Sequence, residues 1–261
     1  MIEIIVLFFV GIGVGTFGTL IGIGGGLIMI PLFTLALTPS IFHTAPEIIG
    51  TSLFGVFLNA LSGTYAYIKQ HRVYFKAAIP FAIATLPGAI LGSLVSDYFT
   101  GPTFSLSYGI FILLISAIMY WNSSNKKVIS LEFDEKIFLA RKKLGIVLSM
   151  FVGFISSIFG IGGGIIHVPV MIYALAFPPH MATATSHFVL AVSSFMGVTS
   201  HLFLNHIVWI PALSVGIGAV IGAQFGARLS RKTKPRSIVL LLCLSLFLLG
   251  LRMIMDSKLL F

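Results

Sequence analysis

The sequence predicts an all-α polytopic membrane protein of two repeats of inverted topology, each a Gly-broken helix or re-entrant element plus three transmembrane helices. Three observations carry this expectation. Hydrophobic residues make up 57% of the 261 residues and charged ones only 9%, with a mean hydropathy of +1.08, where a soluble domain holds about a quarter charged residues. Several apolar runs reach the roughly 20 residues that cross a bilayer. The stretch Gly22-Ile-Gly-Gly-Gly-Leu-Ile-Met-Ile-Pro31 returns as Gly160-Ile-Gly-Gly-Gly-Ile-Ile-His-Val-Pro169, seven of ten positions identical.

The first element runs from Ile2 to about Leu37 and holds the first glycine stretch. Each Gly costs about 0.8–1 kcal/mol in a helix interior relative to Ala, so three in a row read as a helix broken at membrane depth. The polar turn Thr38–Pro46 leads to a second element over Glu47–Ile68, then a basic loop with Lys69, His71, Arg72 and Lys76. The third covers Ala77–Val95, with Pro80 and Pro87 as tolerated kinks. A loop with Asp97, Gly101 and Pro102 leads to the fourth, Thr103–Trp121. Asn122–Lys143 is polar, with six basic residues against three acidic ones, and reads as a cytoplasmic linker. It divides the chain into a first transmembrane repeat (1–121), the linker (122–143) and a second, inverted repeat (144–261).

The fifth element, Leu144–Phe177, holds the second glycine stretch; Met181–Leu204, Val208–Ala227 and Ser237–Met255 follow. The repetition extends beyond the glycines. Gly50-Thr51-Ser52-Leu53 answers Ala184-Thr185-Ser186-His187, and Pro80 with Gly88–Gly92 answers Pro211 with Gly218–Gly222.

Charge sets the orientation. Of 16 Lys and Arg, giving a net +9, nearly all lie in three short loops, which the positive-inside rule places in the cytoplasm. From the central linker the chain must return to the cytoplasm at Arg228–Arg236 after three elements, two of them single spans. The fifth element therefore crosses twice or dips and returns, and by repetition so does the first, which inverts the second half. The loops without Lys or Arg, Thr38–Pro46 and Ser96–Phe104, fall outside. The basic balance thus speaks for membrane lipid and a multi-pass place in the inner or plasma membrane, not for nucleic acid. Residues 1–20 lack a basic leader and a small-residue cleavage site, so they read as an uncleaved first helix. Cys243 is alone, which excludes a disulfide framework.

Inverted repeats with broken helices place a substrate near mid-depth between them. A half-helix starting at the break directs free N–H groups and its positive dipole end there, which suits an anion. The candidate donors are the main chain of Gly24, Gly25 and Gly26 and of Gly162, Gly163 and Gly164. The hydroxyls of Thr51, Ser52, Thr185 and Ser186 join them, with an amide from Asn59 or Gln224. The competing role for glycines is close helix packing, as at Gly11/Gly15, Gly88/Gly92 and Gly218/Gly222/Gly226; for a Ser or Thr it is a bond to its own helix carbonyl. Apart from Glu47 at the start of the second element, no acidic or basic residue falls clearly inside a span, which argues against a carboxylate-lined cation path. His167, His187 and His201 lie in apolar runs, where a His can carry a coupled proton or simply bond a neighbouring helix.

No catalytic group, metal-ligand spacing or cofactor motif emerges. Gly13-Val-Gly15-Thr-Phe-Gly18 matches G-x-G-x-x-G, but it lies in an apolar span with no preceding strand and no acidic partner about 20 residues on. No phosphate-binding loop with its Lys is present.

At these same residues, Gly22–Pro31, Gly160–Pro169, the two Thr-Ser pairs and the glycine-rich third and seventh elements, the chain resembles the sulfite exporter TauE/SafE-like family, also described as the toluenesulfonate uptake permease family. The resemblance spans nearly the whole chain. It implies a multi-pass inner-membrane carrier of sulfur-containing anions such as sulfite or sulfonates, with ion coupling. The expectation is a secondary transporter of small anions working by alternating access, with H+ a candidate coupling ion. An anion channel of the same architecture, or a membrane scaffold or receptor, stands as the alternative. The sequence leaves the anion, the direction and the oligomeric state open.

Overall fold

A computed structural model describes residues 2–34, 41–95, 98, 101–124 and 132–259. Parts of the 38–46 turn, the 96–104 loop and the 122–143 linker lie outside these. Every regular element among the described residues is helical: α1 (Ile2–Ile21), α2 (Gly26–Leu32), α3 (Ala45–Lys69), α4 (Phe75–Val95), α5 (Gly101–Ser124), α6 (Glu135–Phe159), α7 (Gly164–Pro169) with a following π turn (Val170–Ala174), α8 (Pro179–Phe203), α9 (Trp209–Lys232) and α10 (Pro235–Leu259). Eight are long and apolar enough to cross a membrane.

The ends of these helices have local causes. Thr44 caps α3, its hydroxyl accepting from Glu47 N at 3.4 Å, with Pro46 in the first turn. Asp134 caps α6, accepting from Lys136 N at 2.8 Å. That cap starts α6 at Glu135, not at Leu144 where hydropathy begins, so its first turns are polar and run ahead of the apolar part. At its other end α6 stops on Gly160, left-handed at φ 67°.

Glycines let the long helices touch. Gly218, Gly222 and Gly226 of α9 lie on the main chain of Phe8, Ile12 and Thr16 in α1, and Gly88 and Gly92 of α4 lie on Met150 and Phe154 of α6. Without a side chain in the way, backbones approach closely enough for dispersion to hold them. The main contacts are α1 with α9, α4 with α6, α5 with α10, α3 with α8 and α9, and α8 with α4. Exchanging α1, α3, α4 and α5 for α6, α8, α9 and α10 maps this set onto itself. The duplication is therefore a two-fold relation of packing as well as of sequence.

The two central helices run in opposite directions. The Thr51 end of α3 meets the α8–α9 turn, whose Val208 N donates to Thr51 Oγ1 at 3.0 Å. Its other end meets the C-terminal part of α9, through Gln70 to the Ala227 carbonyl at 3.1 Å, and the start of α8, through Arg72 to the His180 carbonyl at 3.0 Å. The basic segments gather at this second end, where Lys76 of α4 pairs with Glu135 of α6 at 2.7 Å. The pair is exposed and worth little in stability, but it fixes which helix ends are neighbours. Outward faces carry Phe9, Ile83, Leu114, Phe151, Phe225 and Leu240, all exposed. So much contiguous apolar surface suits a hydrocarbon surround.

Candidate functional site

The glycine stretches form two left-handed breaks with the same geometry. Gly22, Gly24 and Gly25 have φ of 84°, 77° and 85°; Gly160, Gly162 and Gly163 have 67°, 72° and 82°. An L side chain is strained at such angles, which is why glycine recurs there. Gly25 and Gly163 are the N-caps of α2 and α7, and neither has a side-chain cap. The first N–H groups of α2 and α7 therefore lack both intrahelical and side-chain partners.

The breaks interlock. Gly26 lies against the Gly160 carbonyl and Ile161, and Gly164 against the Gly22 carbonyl and Ile23. Gly24 and Gly162 both face Val56 and Leu190, which stand near the middles of α3 and α8 and are fully buried. The structure thus brings the two predicted glycine breaks together beside the middles of α3 and α8. It fills the space beside them with two aliphatic side chains.

The two Thr-Ser pairs bond alike, the serines to the breaks and the threonines to the turns that follow α8 and α3. Ser52 donates to the Gly160 carbonyl at 3.1 Å and Ser186 to the Gly22 carbonyl at 3.4 Å, each half holding the other's break. Thr51 accepts from Val208 N, and Thr185 from Tyr74 N at 3.1 Å, so each threonine keeps its own O–H proton to donate.

Asn59 lies one layer away. Its amide donates to the Gly15 and Ala219 carbonyls at 3.0 and 3.1 Å and accepts from Thr19 Oγ1 at 3.1 Å. His187 joins this network through Thr19 Oγ1 at 3.2 Å, edge-on to Tyr67, whose O–H donates to the Thr19 carbonyl. Gln224 instead bonds Ser62 on the α3–α9 contact, at 2.8 Å. The three histidines do not converge. His167 Nε2 pairs with Ser149 Oγ at 3.0 Å, and His201 Nδ1 with His206 Nδ1 at 3.0 Å. Among the described residues no group of three or more His, Cys, Asp or Glu side chains could hold a metal.

Sequence reasoning left Arg72 among the loop charges, yet its guanidinium is largely enclosed. It bonds Gln70, His180 and Ser230 at 3.0–3.1 Å and sits 4.8 Å from the Tyr67 ring centre. Burial lowers its pKa, Tyr67 opposes that, and the Arg231 charge adds to it; a guanidinium stays charged throughout. The cue was in the repeat, since the Thr51/Thr185 alignment carries Tyr67 and Arg72 onto His201 and His206, another paired set at the opposite end.

Eight helices long and apolar enough to span, and two helix breaks meeting at the middle of the bundle, define a multi-pass membrane protein of transporter architecture. The family model for the sulfite exporter TauE/SafE matches residues 7–253, and the chain belongs to that family of membrane transporters. It is similar to the probable membrane transporter protein YunE of Bacillus subtilis, with 35% identity over 98% of each chain. A probable membrane transporter protein of Methanocaldococcus jannaschii is 29% identical over 95% of this chain and 94% of its own. One from Xylella fastidiosa is 28% identical over 82% and 79%. No solved structure matches the chain.

Proposed function

We propose that the protein is a secondary carrier of small anions, sulfur oxyanions such as sulfite or sulfonates, bound at mid-depth and moved by alternating access. The observation that carries this is the meeting of two uncapped helix starts, α2 and α7, on the same pair of side chains, Val56 and Leu190. Free N–H groups at Gly25 and Gly26 and at Gly162–Gly164 suit an oxyanion, whereas Gly24 N is already spent on the Gly18 carbonyl at 3.2 Å. Thr51 and Thr185 add O–H donors, while Ser52 and Ser186 hold the break carbonyls. Opposed α3 and α8 support an inverted pair of halves that rock about these helices, and Val56 with Leu190 closes the centre between the two openings. The family's name as a sulfite exporter supports the substrate class. Proton coupling through His187, buried beside the first break, belongs to the same reading.

The test is uptake into liposomes containing the purified protein, with sulfite, sulfate, thiosulfate, a sulfonate and a carboxylate compared. Saturable sulfite or sulfonate flux, faster under a proton gradient and lost in Gly163→Val, is the expected result. No flux of any anion sinks the carrier. Flux indifferent to an imposed pH gradient removes the proton.

A further inference from the structure

The two-fold packing allows each polar side chain of one half to be compared with its counterpart in the other. Along α3 and α8 the Thr51/Thr185 alignment sets Asn59 against Ser193, Gly63 against Gly197, and Tyr67 against His201; the Gly22/Gly160 alignment sets Thr19 against Ser157. In the first half Thr19, Asn59 and Tyr67 satisfy one another, and in the His187 ring that joins them only Nδ1 has no partner among the described residues. Thr19, Asn59 and Tyr67 are linked by the bonds given above, and the His187 ring lies against Gly63. In the second half their counterparts do not. Ser157 Oγ, Ser193 Oγ and His201 Nε2 are three of the seven buried side-chain polar atoms without a hydrogen-bond partner among the described residues. The three residues are 2%, 3% and 0% exposed.

They lie together. Ser193, Gly197 and His201 follow at four-residue spacing on one face of α8. A Cβ at Gly197 would meet Leu53 Cδ1 at 3.1 Å and Ser157 Oγ at 3.4 Å, so Leu53 shares this place with the polar groups. A buried polar atom without a partner costs stability, so three along one face of α8 and its contact with Ser157 need an explanation. Smaller side chains than in the first half (Ser for Asn, His for Tyr, Ser for Thr) also occupy less of the space.

We infer that Ser157, Ser193 and His201 form an oxyanion subsite between mid-depth and the end of the bundle away from the basic loops. The chemistry is that of donors. Two hydroxyls can point O–H groups inward. In the tautomer in which His206 Nδ1–H donates across the 3.0 Å pair, His201 accepts at Nδ1 and carries a donor on Nε2. The described carboxylates lie in loops, caps and first helical turns, with Asp256 in the last turn of α10, so none stands at the middle of a span to supply the charge a cation needs. The corresponding place toward the basic end is closed by Asn59 and His187. The subsite is thus a resting place on the route to one face only. The identity of its ligand rests on the reading of the chain as an anion carrier.

Sulfite titration of the purified protein, followed by calorimetry and by melting temperature with chloride as control, tests it. In Ser157→Ala/Ser193→Ala no bond within the protein is lost, so the melting temperature without ligand should hold or rise. Sulfite affinity should fall about tenfold or more, because each hydroxyl bonds a charged group. Ser193→Asn installs the side chain that fills the matching position of the first half, and should fold and abolish sulfite binding. Affinity within twofold of the unsubstituted protein in either variant overturns the subsite, leaves the carrier standing and marks the hydroxyls as water-bound. If the unsubstituted protein binds no sulfite, both fail.

Discussion

Gly13, Gly15 and Gly18 share one helix and one G-x-G-x-x-G spacing but meet three different surroundings. A Cβ at Gly13 would touch nothing within 4 Å; at Gly15 it would press on the main chain of Ala219 and on Asn59; at Gly18 it would strike the main chain of Gly24 and Gly25. The motif that mimics a nucleotide loop is thus two packing glycines and one spare. Gly18→Ala should therefore push the first break away from α1 and lower stability by about 1–3 kcal/mol, the usual cost of overpacking. Gly13→Ala should be neutral or stabilise by up to about 1 kcal/mol through helix propensity. Melting of the purified variants distinguishes them, and equal effects would mean that the break does not lean on α1. The same contrast applies to serines and threonines. Their recurrence in the sequence marked Thr51, Ser52, Thr185 and Ser186 as a set, but not that the serines would bond the breaks and the threonines the turns at Val208 and Tyr74.

At the scale of the element, Gly88 of α4 and Gly222 of α9 do one job twice. Gly88 lies on Met150 of α6 and Gly222 on Ile12 of α1, in both cases through the main chain. Gly88→Val and Gly222→Val should lower the melting temperature by similar amounts, roughly 3–10 °C for a chain of this size. A large loss in one with none in the other would show that the two interfaces carry unequal loads. Helix existence was legible here because hydropathy and the repeat agree. Val208–Ala227 in the sequence became Trp209–Lys232 in the structure, and Glu47–Ile68 became Ala45–Lys69. The start of α6 was not legible from hydropathy. Its cap, Asp134 followed by Glu135, is a polar signal outside the apolar run. The interlock of the breaks was equally hidden, since it depends on Gly26 meeting Gly160 and Gly164 meeting Gly22 across the two halves. No local pattern encodes which of two similar segments another will touch.

Across the whole molecule, the polar bonds set the ends of the bundle in order. His71, before Arg72, and Asn205, before His206, occupy equivalent turns after α3 and α8, with φ of 56° and 58°. Yet the first turn sits with the Lys76–Glu135 pair and the basic end of α9, and the second with Gly50 and Thr51 at the start of α3. If the halves are inverted across a membrane, these like turns face opposite compartments, with the basic one inside. His71→Cys and Asn205→Cys test this in cells, in a background where the buried Cys243 is replaced by Ala. Both positions are exposed and carry the same left-handed strain, so labelling differences report sidedness alone. An impermeant maleimide should label Asn205→Cys in intact cells and His71→Cys only after permeabilisation. Labelling of both from one side would mean that α3 and α8, which run in opposite directions between these turns, do not carry them to opposite faces of the membrane. A carrier that exchanges equivalent inward and outward states by swapping the conformations of its halves would then be excluded, because both breaks would open to the same face.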